Sequence, residues 1–158
     1  MPNASYTNTL CVIVKTMYKG KPTKGLEFYN LLNESEEFTS HLGKVALASG
    51  RLEAELILFL TRNKIEGNYK RATLGRLIRI ANENNLFSSN DISVFEMISE
   101  QRNYITHNIY ALFSDLINET ILEKENLLDS DVHLYIETAW QLTENLNGIS
   151  DSIKKKTN

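Results

Sequence analysis

Apolar residues recur along this chain in steps of three and four, and they do so in four separate stretches. The first follows Ser35, Glu36 and Glu37, a helix start with acids in its first turn. Its stripe is Phe38, Leu42, Val45, Ser49, Leu52, Leu56 and Phe59, one face of a helix that reaches about Lys64 and spans roughly 45 Å. Ser49 and Gly50 put small residues at its middle, which predicts a closely crossing backbone there. Thr73 caps a second, shorter helix carrying Leu74, Leu77, Ile78 and Ala81, ended by 82-NENN-85. Ser89 or Asn90 caps a third, which holds Phe95, Ile98, Ile105, Ile109, Leu112 and Leu116 and runs to about Asn118. The fourth follows 129-DSD-131, with Tyr135, Ala139, Leu142, Leu146, Ile149 and Ile153 on one face.

Near the N-terminus the pattern is two-sided. The β-branched residues of 6-YTNTLCVIVKTMY-18 suit a strand, while Leu10, Ile13, Val14 and Met17 fit a helical face, the reading preferred here. Residues 1–24 are thus an N-terminal extension of open structure, and 19-KGKPTKG-25 is a loop. Four stripes and no clear strand predict an all-α fold: an antiparallel bundle of four to five helices, in one domain over 1–158.

Composition narrows the class. Of 158 residues, 42% are hydrophobic and 23% charged, the balance of a folded soluble domain. No apolar run approaches the ~18 residues of a membrane span, and 10-LCVIV-14 lacks the flanks of a signal peptide. A cytoplasmic protein is expected. One cysteine, Cys11, excludes an internal disulfide and a cysteine zinc site, and His41, His107 and His133 have no ligand spacing. Neither metal nor cofactor is expected.

Net charge is −3, which argues against a general nucleic-acid binder. Its distribution matters more. Arg62, Lys64, Lys70, Arg71, Arg76 and Arg79 are interrupted by one acid, Glu66, and so form a basic segment able to meet a phosphate backbone. Taken alone, such a segment is more commonly a solvated helix end and loop.

The third stripe contains an anomaly. Arg102 stands in register between Ile98 and Ile105, where an apolar residue belongs. A buried guanidinium needs a partner, because removing its charge from water costs several kcal/mol. Glu53, flanking the first seam between Leu52 and Leu56, is the expected one. Asn103, His107 and Tyr110 share another face of the same helix, about 140° from Arg102 in the case of His107. Tyr104, Tyr110 and Trp140 are read first as packing residues.

Arg-Asn, three further residues and His, on a long helix of an all-α bundle, resembles the Arg-x-x-x-x-His motif of the HEPN superfamily. The resemblance covers the motif helix and the bundle layout. It implies metal-independent ribonuclease chemistry, commonly in toxin–antitoxin or phage-defence systems, with the cleft between two protomers. Arg102, Asn103 and His107 become the catalytic candidates, and the basic segment with Tyr110 the RNA-binding ones. The partners implied are a second copy, RNA and a cognate antitoxin or other protein. HEPN toxins regulated on a tyrosine resemble Arg-x-x-x-x-His-x-Tyr, whereas here the tyrosine stands one place later, so that mode of control is not expected. The superfamily also has non-catalytic members, and the mannitol operon repressor type has a similar helix. The alternative is therefore an interaction module, a transcriptional regulator or immunity-type protein that binds a protein partner.

Overall fold

A computed structural model of the chain describes residues 20–107 and 127–158. A two-residue strand β1 (Pro22–Thr23) leads into helices α1 (Gly25–Glu34), α2 (Glu36–Arg62), α3 (Leu74–Glu83) and α4 (Ser89–His107). Strand β2 (Leu127–Leu128), a 3₁₀ turn at Asp129–Asp131 and helix α5 (Val132–Thr157) complete the described chain. The all-α expectation holds, with one small addition. β1 and β2 pair antiparallel, Pro22 against Leu128 and Thr23 against Leu127. The segment read as a loop therefore contains a strand, because its partner lies more than 100 residues away and leaves no local signal.

Capping chemistry fixes most helix starts. The Ser35 hydroxyl accepts the Phe38 amide at 3.1 Å, and the Thr73 hydroxyl accepts that of Arg76 at 3.4 Å. At α4 the cap is one residue earlier than expected: Ser88 Oγ accepts the Asp91 amide at 3.1 Å. Helix α1 has no counterpart among the apolar stripes. It buries only Phe28 and Leu32 deeply, and Lys24 precedes it without a side-chain cap. Its start is instead secured by the Glu27 carboxylate, which accepts the Lys24 amide at 3.1 Å. Packing then holds it, with the Phe28 ring 5.2 Å from that of Tyr135.

The core forms where the predicted stripes meet. Val45, Leu52, Leu56 and Leu60 of α2 are buried, as are Tyr135, Ala139, Leu142, Leu146 and Ile153 of α5. Each buried leucine stabilises by roughly 1.5–3 kcal/mol, so truncating Leu56 to alanine removes about 2–5 kcal/mol. Leu42 and Ile149, also in the stripes, are half-buried at the core edge.

Helix directions correct the antiparallel expectation. Phe38 meets Tyr135 edge-on at 6.4 Å, Arg51 bonds Asn147 and Asp151, and Arg62 bonds the carbonyl of Thr157. The two longest helices therefore run in the same direction. Helix α4 runs opposite to both. Arg102 reaches Glu53 at mid-α2, Phe95 and Phe59 both pack on Phe87, and Asp91 pairs with Lys156 at the end of α5. An apolar stripe specifies which face a helix buries and says nothing of its direction. The close crossing expected at Ser49–Gly50 is corrected for Gly50. Ser49 is buried and donates to the Val45 carbonyl at 2.8 Å, but a Cβ placed on Gly50 would meet nothing within 4 Å.

Candidate functional site

The arginine in the α4 seam meets the carboxylate expected for it. Arg102 Nη2 lies 3.2 Å from Glu53 Oε1, with the two side chains 19% and 30% exposed. The same oxygen accepts the backbone amide of Leu74 at 3.0 Å. Leu74 is the first residue of α3, so Glu53 joins three helices: its own α2, the N-terminus of α3 and the arginine of α4. A negative charge is favoured at a helix N-terminus, where unpaired amides concentrate partial positive charge. Arg102 Nε is buried and meets no hydrogen-bond partner among the described residues. Only one of the five guanidinium N–H groups is thus occupied by Glu53.

Asn103 and His107 are exposed, His107 as the last described residue of α4. Asn103 lines a shallow groove of about 290 Å³ between α3 and α4, together with Gly75, Ile78, Glu96, Ser99 and Glu100. Gly75 lies against the Ser99 hydroxyl, which a Cβ at this position would meet at 3.8 Å, an ordinary contact distance. Tyr110 lies outside the described residues, as does the predicted continuation of the helix to Asn118. On α4, Arg102 and His107 are separated by roughly 7.5 Å along the axis and 140° around it. One points into the seam and the other away from it.

The basic segment divides. Lys70, Arg71 and Arg76 converge with Asn68 around a polar depression of about 400 Å³, beside the α3 N-terminus. The loop holding them is braced by Tyr69, whose hydroxyl donates to the Ile65 carbonyl at 2.7 Å. Arg76 stands two residues after the Leu74 amide that Glu53 binds, about 200° further round α3, and neither Glu53 nor Arg102 lines this depression. The other three go elsewhere. Arg62 bonds the end of α5, and Arg79 lies 3.9 Å from Glu83 on its own helix. Lys64 takes a positive φ of 59° in the turn that ends α2, where the Ile65 amide returns to the Leu60 carbonyl.

A larger cavity, about 570 Å³, lies between the first half of α4 and the second half of α5. It is lined chiefly by apolar groups, among them Phe87, Val94, Met97 and Ile149, and it touches none of the candidate residues. Size and chemistry therefore point to different places, and the polar convergence at Glu53–Arg102 is the better functional candidate. Trp140, read as a packing residue, is 50% exposed instead. Tyr104 donates to Glu100 at 2.6 Å.

No group of three His, Cys, Asp or Glu residues able to hold a metal occurs among the described residues, and none of their helices is long and apolar enough to cross a membrane. Comparison with protein-family models, with curated proteins and with solved structures finds no match to the chain. The functional reading therefore rests on the residues and their arrangement.

Proposed function

We propose that the chain is a HEPN-like, metal-independent endoribonuclease, a cytoplasmic toxin or defence component that acts as a homodimer. The supporting observation is the state of Arg102: a guanidinium fixed by one nitrogen to Glu53, with a buried Nε–H that meets no acceptor among the described residues, one residue before an exposed asparagine. A buried donor without an acceptor is costly, and such groups concentrate where function requires them. RNA itself supplies the nucleophile for cleavage. The 2′-oxygen attacks the adjacent phosphorus and loses its proton, a 2′,3′-cyclic phosphate forms, and the 5′-oxygen leaves with a proton. Arg102 offers its remaining N–H donors to the phosphoryl oxygens as charge accumulates there. His107 moves the proton, the part an imidazole takes in general acid–base chemistry, and Asn103 holds a phosphate oxygen or the imidazole.

One histidine cannot be base and acid in the same step. Since Arg102 and His107 also diverge on one helix, a second copy supplies the complementary group. Lys70, Arg71 and Arg76 receive the flanking phosphates. The test is incubation of the purified chain with total RNA in EDTA. Cleavage that persists without metal and vanishes in His107→Ala supports the reading. Cleavage that needs added magnesium, or survives that substitution, removes it, and no cleavage at all leaves the interaction module as the better account.

A further inference from the structure

The side of α2 turned away from the core is not a solvated polar face. Gly43, Leu47, Gly50, Ala54 and Leu58 follow one another at steps of four, three, four and four, which sets them in one stripe about 22 Å long. All five are exposed, and the two leucines are far beyond what a monomer needs, Leu47 at 78% and Leu58 at 50%. A Cβ on Gly43 or Gly50 would meet nothing within 4 Å. Two large apolar groups thus stand out from a helix whose other positions along the same line are hollows.

We infer that this stripe is a contact surface for a second copy of the chain, with the two α2 helices antiparallel across a two-fold axis between Gly50 and Arg51. That axis sets Leu47 opposite Ala54 of the second copy and Leu58 opposite its Gly43, twice each by symmetry. Every leucine enters a hollow, and no leucine meets a leucine. A two-fold contact requires a surface to be complementary to itself, and this spacing satisfies the condition at all four positions.

Charge agrees with shape. Lys44 and Glu55 flank the stripe on the same side, and neither is in an ion pair among the described residues. In an antiparallel two-fold pair, like flanks face each other, so each lysine is brought beside the glutamate of the other copy. The one cation near the axis, Arg51, is already neutralised and drawn aside by Asp151 and Asn147. The inference does not rest on the ribonuclease reading, since a non-catalytic module would pair through the same face.

A single helix pair buries an area at the low end for a specific interface, so association is expected in the micromolar range. Sedimentation of the full chain between about 1 and 100 µM tests it. The wild type should shift from monomer to dimer across this range. Leu47→Asp/Leu58→Asp should remain monomeric while keeping its helical circular dichroism and melting temperature, because both leucines are exposed. Lys44→Glu or Glu55→Lys alone should weaken the dimer about tenfold, as expected for a like-charge clash, and the double exchange should restore it. A wild type that is monomeric at 100 µM, or a double-aspartate variant that still associates, overturns this surface. Failure of the double exchange to restore association overturns the antiparallel register.

Discussion

One carboxylate oxygen of Glu53 serves both Arg102 and the first amide of α3, at 3.2 Å and 3.0 Å. The arginine of the motif is thereby tied to the start of a second helix. Because the pair is one-fifth to one-third exposed, water screens part of its attraction.

Arg102→Ala strands a partly buried carboxylate, but one that retains the Leu74 amide as a partner. The cost is about 1–3 kcal/mol, between a surface pair and a fully buried one. A thermal melt should fall by roughly 3–10 °C. Glu53→Ala should cost more than Glu53→Gln, because glutamine still presents an oxygen to the amide of Leu74. Equal melting of the two Glu53 variants would mean that the α3 contact contributes nothing.

His107→Ala should leave the melt within about 0.5 kcal/mol of the wild type, since the residue is exposed. Its whole effect should appear in RNA cleavage. A large loss of stability would place the imidazole inside the fold rather than at its surface.

RNA affinity should fall with salt. Replacing Lys70, Arg71 and Arg76 by glutamine should flatten the slope of log K against log salt, by about 0.7 for each single-strand phosphate no longer neutralised and by roughly two in all. Arg62→Gln and Arg79→Gln should change the slope little, because α5 and Glu83 already engage those side chains. Equal effects from all five would show that the depression has no special role.

Asp91 carries a pH signature. Its hydrogen bond with Ser88, aided by the Lys156 charge, holds its carboxyl below the ordinary carboxylate range against a smaller effect of burial. A depressed folded-state value stabilises the protein above the unfolded-state pKa of about 3.9, and that contribution disappears as pH falls through the folded value. Asp91→Asn should therefore melt lower than the wild type at pH 7, and the two curves should converge as pH falls through the depressed folded-state value of Asp91. A gap that is constant with pH would assign the effect to capping geometry alone.

Thr73→Ala should cost about 1 kcal/mol, the usual loss on removing an N-cap. Added to Glu53→Ala it should cost less than the sum if the two side chains secure the same helix start, which a double-mutant cycle measures.

The sequence is most informative where local chemistry and long stripes coincide. Ser35 and Thr73 cap as their neighbours require, and the α2 and α5 seams are buried close to the residues named. The Glu53–Arg102 pair is legible because both residues break or flank an apolar seam, and a charge in a seam needs a counter-charge. Helix α1 is not, since two deeply buried side chains in ten residues make too weak a stripe, and its stability comes from Tyr135, more than 100 residues away. The parallel course of α2 and α5 is equally hidden, because periodicity has no direction. Of the six basic residues, proximity in sequence brings only three together. The turn at Lys64 and the reach of Arg62 towards α5 separate the others. The outward stripe on α2 is masked for a different reason: the same helix carries a stronger inward stripe, which by itself accounts for the burial of that helix.

The parallel α2–α5 pairing sets a timetable for the newborn chain. At about 5–20 residues per second, the ribosome needs roughly 5–20 s to pass from the end of α2 to the end of α5. Throughout that interval Leu52, Leu56 and their neighbours have been synthesised but lack the helix that covers them. Contacts between residues this distant in sequence also slow folding relative to a bundle of consecutive hairpins. The nascent chain thus keeps its principal seam without its covering helix for seconds, and emergence of residues 132–157 is the event that closes it.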